Sequence, residues 1–356
     1  MDQVELMLKE LTGAIGISGH EDDVSGVMEK HLAGLGEIFY DRLGSLICKK
    51  TGKAGGPAVM LAAHMDEVGF MVKQVTRDGF IKFLPIGGWW GHVALAQRVT
   101  VRSAKGDFVG IVGSKPPHDL QEDEKKKVVE FRDMFIDVGA TSAFDVEKKL
   151  GIRPGDPVVP WSPFTVMDNP RLYMAKAWDD RIGCAEIIEV FRKLQKAKHP
   201  NVIYGVGTVQ EEVGLRGAQT SVTAVKPDIG FALDVCIAHD VPGAGDGRPE
   251  KLGAGAAIVV YDGSMIPNPR LRDFVVDVAK AKRIPHHFAS LEKGGTDSGK
   301  IHLHGTGVPS LSLCVPTRYI HSHTAIIDRK DFEAIVNLVT EVIMRLDAKT
   351  VAKLTR

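Results

Sequence analysis

Apolar residues fall at helical spacing in VELMLKELTGA and VSGVMEKHLAGL, then give way to short β-rich runs around FYDRLGSLICKK and PAVMLAAHMD, so the first 66 residues read as two helices followed by strands. The turn GISGHEDD separates the helices. In it Ser18, with Glu21 three residues on, reads as a capping box for the second helix. From about 67 to 166 the texture changes to GFMVKQV, GFIKFLPI, QRVTVRS and DFVGIVGS, short segments broken by glycine and proline turns, with one helical stretch at AFDVEKKLG. That is a small β-rich barrel or sandwich. From about 167 onward strands and helices alternate: YMAKA, the helix DRIGCAEIIEVFRKLQKA, NVIYGVGTVQ, FALDV, AIVVY, a helix from RLRDFVVDVAKAK, PSLSLCVP and a last helix DFEAIVNLVTEVIMRL. NVIYGVGTVQ is continuously apolar and β-branched rather than alternating, which is how a strand covered on both faces of a parallel sheet reads. The pattern predicts an α/β protein with a doubly wound mixed sheet, in a discontinuous domain of about 1–66 plus 167–356 that carries an inserted β-rich unit, barrel or sandwich, at 67–166.

Composition narrows the function classes. The 356 residues are 44% hydrophobic and 25% charged, with a formal net charge of zero. No basic stripe is present to hold a nucleic acid or an anionic membrane, so neither is expected as a partner. The N-terminus lacks a basic segment followed by an apolar one, and no apolar run approaches the roughly 18 residues of a membrane span. The four cysteines are scattered singly, without a CxxC pair. A reduced, cytoplasmic protein is expected. The charged run from 118 to 133 reads as a solvated loop, and no complete phosphate-binding glycine motif occurs.

The candidate chemistry lies at strand ends. HMDEVG places His64 and Asp66 two apart after an apolar strand, on one face. Asp179 and Asp180 stand where YMAKA passes into a long helix, a position that also suits helix capping. Glu211 and Glu212 follow NVIYGVGTVQ. Asp234 interrupts an apolar strand, where a carboxylate must be paired, hydrogen-bonded or bound to a cation. His321 and His323 follow LSLCV. A doubly wound sheet brings such ends together along one edge. Three carboxylates against two divalent cations leave one positive charge, and two neutral imidazoles complete a ligand set of His, Asp and Glu without Cys, which suits a hydrolytic pair of zinc or cobalt ions.

HMDEVG, WDDRIG, VQEEVGLRGA, ALDV, GGTDSG and RYIHS, in this order and spacing, resemble the glutamyl-aminopeptidase-like family of dinuclear metalloaminopeptidases, whose best-known members form tetrahedral (TET) particles. The similarity spans essentially the whole chain. It implies that His64 and Asp234 hold one metal, Glu212 and His321 the other, and that Asp179 bridges them. It further implies that Asp66 orients His64 and that Glu211 is the general base. Adjacent side chains on extended backbone point opposite ways, so one glutamate faces the metal and the other the attacking water. By the same matching His321 is the ligand rather than His323, Asp180 caps its helix, Thr296 and Asp297 belong to a loop near the site, and Arg318 helps shape the substrate site.

The implied activity is removal of N-terminal residues from short peptides with two divalent ions, zinc or cobalt. A related metal-dependent deacylase or carboxypeptidase is the alternative. Relatives have also been labelled endoglucanases, but a glycosidase needs two carboxyls flanking one bond about 5–9.5 Å apart, which consecutive opposed residues serve poorly. The resemblance also implies that the insertion pairs subunits and that the resulting dimers close into a homododecamer.

Overall fold

The computed structural model describes residues 1–244 and 247–355. Eleven strands form one mixed sheet and another set closes into a barrel. The middle of the sheet is parallel: Val202–Thr208 pairs with Ala58–His64, which pairs with Ile229–Ile237, which in turn pairs with Ser310–Arg318. Leu46–Thr51 and Glu37–Tyr40 extend it antiparallel on one side. Ala325–Asp328, Leu172–Ala175 and Thr165–Val166 extend it antiparallel on the other. Ala256–Asp262 also joins Ser310–Arg318 antiparallel, and it carries His286–Leu291 as a parallel outer neighbour.

The continuous apolar runs reflect a core on each face of this sheet. Along Ala58–His64, Val59, Leu61 and Ala63 enter the cluster formed with helices Gln3–Gly13, Trp178–Lys193 and Arg329–Ile343. The intervening Met60 and Ala62 pack instead with Val222 and Val225 of helix Arg216–Val225 and with Ile301. Both sets of side chains leave water, so no polar alternation is needed.

The barrel runs Gly69–Val75, Ile81–Ile86, Phe135–Asp137, Gly106–Gly113, Arg98–Ser103 and Pro157–Pro160 around its circumference, all antiparallel. Its own core holds Phe70, Phe83, Val99, Ile136 and Val158. The α/β class, with a large mixed sheet and a closed barrel, agrees with the pattern expected from the sequence. Thr165–Val166, grouped with the insertion on sequence, pairs in the large sheet. AFDVEKKLG yields one turn of π-helix, Asp145–Lys149, and the charged run holds two short 3-10 turns, Pro117–Asp119 and Phe131–Asp133, in mostly exposed chain.

The capping box is a correction. Glu21 itself takes the N-cap position of helix Asp22–Leu32 and makes no side-chain capping bond, while Ser18 and the Glu21 carboxylate point to the carboxyl edge of the sheet.

Candidate metal centre

Register places the first residues of the site. Thr208 lies opposite His64, and Asp234 lies opposite Cys314, on neighbouring parallel strands. The chain leaves Val202–Thr208 and turns at Gln210, whose φ is 55°. Glu211 and Glu212 therefore stand in a turn beyond the strand rather than on extended backbone, and Glu211 O accepts from Gly214 N and Leu215 N, both at 2.8 Å. They still diverge. Glu211 Oε2 lies 3.8 Å from His64 Nε2, and Glu212 Oε1 lies 3.4 Å from His321 Nε2. Asp179 sits between the two rings, with Oδ1 2.9 Å from His64 Nε2 and Oδ2 3.3 Å from His321 Nε2. Ligand atoms of His64, Asp179 and Glu212 converge within 4.8 Å of one another, as do those of His64, Asp180 and Asp234. His64, Asp179, Glu211, Glu212, Asp234 and His321 line a cleft of about 920 Å3.

The backbone around them is held in costly conformations. Eight non-glycine residues among those described have positive φ, and four of them, Ala177, Gln210, Tyr319 and His321, lie within two positions of Asp179, Glu211 or His321. Each such conformation costs about 1–3 kcal/mol and persists only where surrounding contacts over-determine it.

Those contacts can be named. Asp66, fully buried, accepts from Ser18 Oγ at 2.6 Å, Glu211 N at 2.9 Å and Glu212 N at 3.1 Å. Its carboxylate thus fixes the main chain of the glutamate pair, while its main-chain oxygen, 2.9 Å away, accepts from His64 Nδ1 and sets that ring. Glu21 Oε1 adds an acceptor for Gln210 N at 3.0 Å. His321 Nδ1 bonds Gly88 O at 2.9 Å, so the barrel reaches the site through the loop after Ile81–Ile86. A Cβ on Gly88 would stand 3.0 Å from His321 Nδ1, and one on Gly87, whose φ is +78°, would stand 2.9 Å from Glu212 Oε2. The glycine pair of IGGWWG is the signal that sequence reading passed over.

The other sequence candidates make contacts of their own, and Asp180, although it reaches the His64–Asp234 group, is engaged by main-chain N–H groups. His323 is buried against Trp161 and Arg98, and burial there pushes its ring down to about 4. Asp180 Oδ1 accepts from Gly183 N at 3.1 Å, a capping bond, and its Oδ2 accepts from His64 N at 3.0 Å. Asp297 accepts from Thr208 Oγ1 at 2.5 Å, and Thr296 Oγ1 donates to Asp262 at 2.8 Å. Arg318 forms a bidentate pair with Asp240, at 2.9 and 2.7 Å, which spends its donors away from the cluster.

The electrostatics call for a cation. Burial raises the carboxyls of Glu211, Glu212, Asp234 and Asp180, and their mutual repulsion adds to it. Burial opposes ionisation of Asp179 as well, but its bonds to His321 and His64 outweigh this and hold it below the ordinary carboxylate range. Burial would likewise lower both imidazoles, yet Glu211 and Asp179 hold His64 well above its usual value, and Asp179 and Glu212 raise His321 to about 11. Arg181, the adjacent cation, faces away and donates to Leu11 O, Ala14 O, Gly16 O and Glu67. Glu212 Oε1 is buried without a hydrogen-bond partner. An all-N,O donor set with excess negative charge and an unpartnered carboxylate oxygen fits divalent metal ions.

Fold and site together define a protein of metallohydrolase type. The M42 glutamyl aminopeptidase family model matches residues 44–338, and the chain belongs to that family. A TET aminopeptidase from a marine sediment thaumarchaeote superposes with TM-score 0.95 at 46% identity, covering 99% of each chain. A lysyl aminopeptidase of Pyrococcus furiosus is 35% identical over 96% of both chains. The TET1 peptidase of Pyrococcus horikoshii, which can assemble into a tetrahedron or a large octahedral shell, superposes with TM-score 0.86 at 29% identity over 97% of this chain and all of its own. The protein is a peptide hydrolase of the aminopeptidase class. Among the described residues no helix is long and apolar enough to cross a membrane.

Proposed function

We propose that this chain removes N-terminal residues from short peptides in the cytoplasm, with His64, Asp234, Glu212 and His321 holding two divalent ions, zinc or cobalt, and Asp179 shared between them. The observation that carries the reading is the placement of the Asp179 carboxylate between His64 and His321, one oxygen toward each ring. When bound, the ions would lower the pKa of a water and polarise the scissile carbonyl. Glu211, on the His64 side of Asp179, takes the proton of the attacking water at its carboxylate and passes it to the leaving amine. Asp66 keeps Glu211 and Glu212 pointed to their separate tasks through their main-chain N–H groups.

The family description and the Pyrococcus furiosus relative carry opposite charge preferences, glutamyl and lysyl, so the preferred N-terminal residue of this chain is decided by its own cleft. The barrel is read as the unit that pairs subunits, with dimers closing into a dodecamer; the assembling TET1 relative supports this. A panel of aminoacyl reporters and N-blocked peptides tests the activity: cleavage confined to free N-termini is expected, and cleavage of blocked peptides would favour a deacylase or carboxypeptidase.

A further inference from the structure

His286–Leu291 lies at the rim of the large sheet, joined in parallel register to Ala256–Asp262 on one side. No strand among the described residues pairs with its other side. Pro285 O accepts from Ala256 N at 3.0 Å. Main-chain groups of a strand alternate sides, so those of His287 and Ala289 continue this ladder, and those of His286, Phe288 and Ser290 face outward. An open edge is a template for another strand, and proteins guard such edges with lysine, proline or inward charge. HHFASL carries no Lys, Arg, Asp, Glu or Pro, and Phe288 is 48% exposed. The edge also leads into the active cleft. Ser290 and Leu291 line the same cavity as Asp179 and Glu212, and residues 292–295 continue along its wall. At about 920 Å3 the cleft lies near the top of the usual range of about 300–1,000 Å3 for ligand sites, room for extended chain as well as an N-terminal residue.

We infer that the outer edge of His286–Leu291 is a docking strand for the substrate: peptide residues downstream of the scissile bond pair main chain to main chain with His286, Phe288 and Ser290. The inference rests on the aminopeptidase reading above. Main-chain pairing is indifferent to side chains, so it gives an exopeptidase purchase on peptides of varied sequence, with specificity left to the pocket for the first residue.

The test is kcat/KM of the metal-loaded enzyme for an aminoacyl reporter and for a ladder of unblocked peptides from dipeptide to hexapeptide. Net worth of a main-chain hydrogen bond is about 0.5–1.5 kcal/mol, so a few of them raise kcat/KM about tenfold or more along the ladder. Methylating one downstream backbone nitrogen removes that gain, and methylating its neighbour does not, because only alternate residues face the edge. Phe288→Pro deletes an outward N–H at an edge position that tolerates proline, whereas Phe288→Ala keeps it. The hexapeptide-to-reporter ratio should fall about two- to tenfold in the first and hold in the second. Should Phe288→Pro fail to fold, the methylated peptides on wild-type enzyme still decide. A flat ladder, or methylation that acts equally at every position, overturns the inference. A Phe288→Pro variant with an intact ratio but a changed sedimentation profile assigns the edge to a second copy of this chain and also overturns it. If wild-type enzyme cleaves neither reporter nor peptide, the aminopeptidase reading is what fails.

Discussion

Replacing Asp66 by asparagine should uncouple the glutamate pair from the rest of the site. The carboxylate is fully buried and accepts three bonds, from Ser18 Oγ, Glu211 N and Glu212 N. Asparagine keeps one acceptor oxygen and turns an amide N–H toward a donor that the carboxylate had satisfied. A hydrogen bond to a charged group contributes about 1.5–3 kcal/mol, and a buried donor left unpaired costs about 1–3 kcal/mol, so a loss of about 2–4 kcal/mol in stability is expected after partial relaxation. Displacement of a catalytic group by about 1 Å costs about a hundredfold in rate, and the same fall in kcat is expected of the folded variant. Ser18→Ala removes only one of the three donors and should cost about 1.5–3 kcal/mol, leaving both glutamate N–H bonds and kcat in place. Urea unfolding at fixed protein concentration, since assembly makes the midpoint concentration-dependent, paired with turnover of one aminoacyl reporter, measures both effects. An Asp66→Asn enzyme with wild-type midpoint and wild-type kcat would refute the role given to Asp66.

A strong chelator should abolish activity, and added zinc or cobalt should restore it; peptidase activity that survives complete metal removal counts against the ligand assignment. His321→Ala should lose metal and turnover together, while His323→Phe, altering a ring packed against Trp161 and Arg98, should keep both; the reverse pattern would exchange the two assignments. Burial raises the Asp331 carboxyl to about 7, despite bonds from Gly253 N and Gly255 N. An acid raised on folding contributes stability that is complete below its ordinary pKa near 3.8 and is lost as pH rises through about 7, up to about 4 kcal/mol at 1.36 kcal/mol per unit. Asp331→Asn should therefore gain on wild type in urea midpoint between pH 4 and 8, and parallel pH profiles would show that the buried carboxyl does not titrate there.

The sequence was most legible where chemistry and pattern coincide. Asp234 in an apolar strand, and paired acids after NVIYGVGTVQ and YMAKA, stand out because buried charge needs a partner. The parallel core was legible because strands with a core on each face cannot alternate. Less visible was whatever depends on contacts distant in sequence. Ser18 and Glu21 match a capping box, yet Asp66 and Gln210 N, tens to hundreds of residues away, offer them partners in the site. Helix Arg216–Val225 escaped notice because RGAQTSVTAV contains glycine and β-branched residues of poor intrinsic propensity; it forms because Val222 and Val225 bury against the sheet. HHFASL has no apolar run to mark it as a strand, and Ala289 is its one buried residue. Glu186 reads as an ordinary polar position of a long helix, yet it is fully buried with neither carboxylate oxygen hydrogen-bonded, behind Asp234. Gly88 carries no side chain to flag its role; only the fold brings its carbonyl to His321.

The division of labour between the adjacent glutamates and the shared aspartate is tested most directly by metal analysis and turnover of two isosteric variants. Glu211→Gln removes the proton acceptor while leaving His64, Asp179, Glu212, Asp234 and His321 intact, so it should retain the wild-type metal content and lose activity by about a hundredfold to ten-thousandfold. Asp179→Asn weakens the carboxylate placed between both rings and should lose metal and activity together. A Glu211→Gln protein with normal turnover, or an Asp179→Asn protein with full metal content and full activity, would contradict the account.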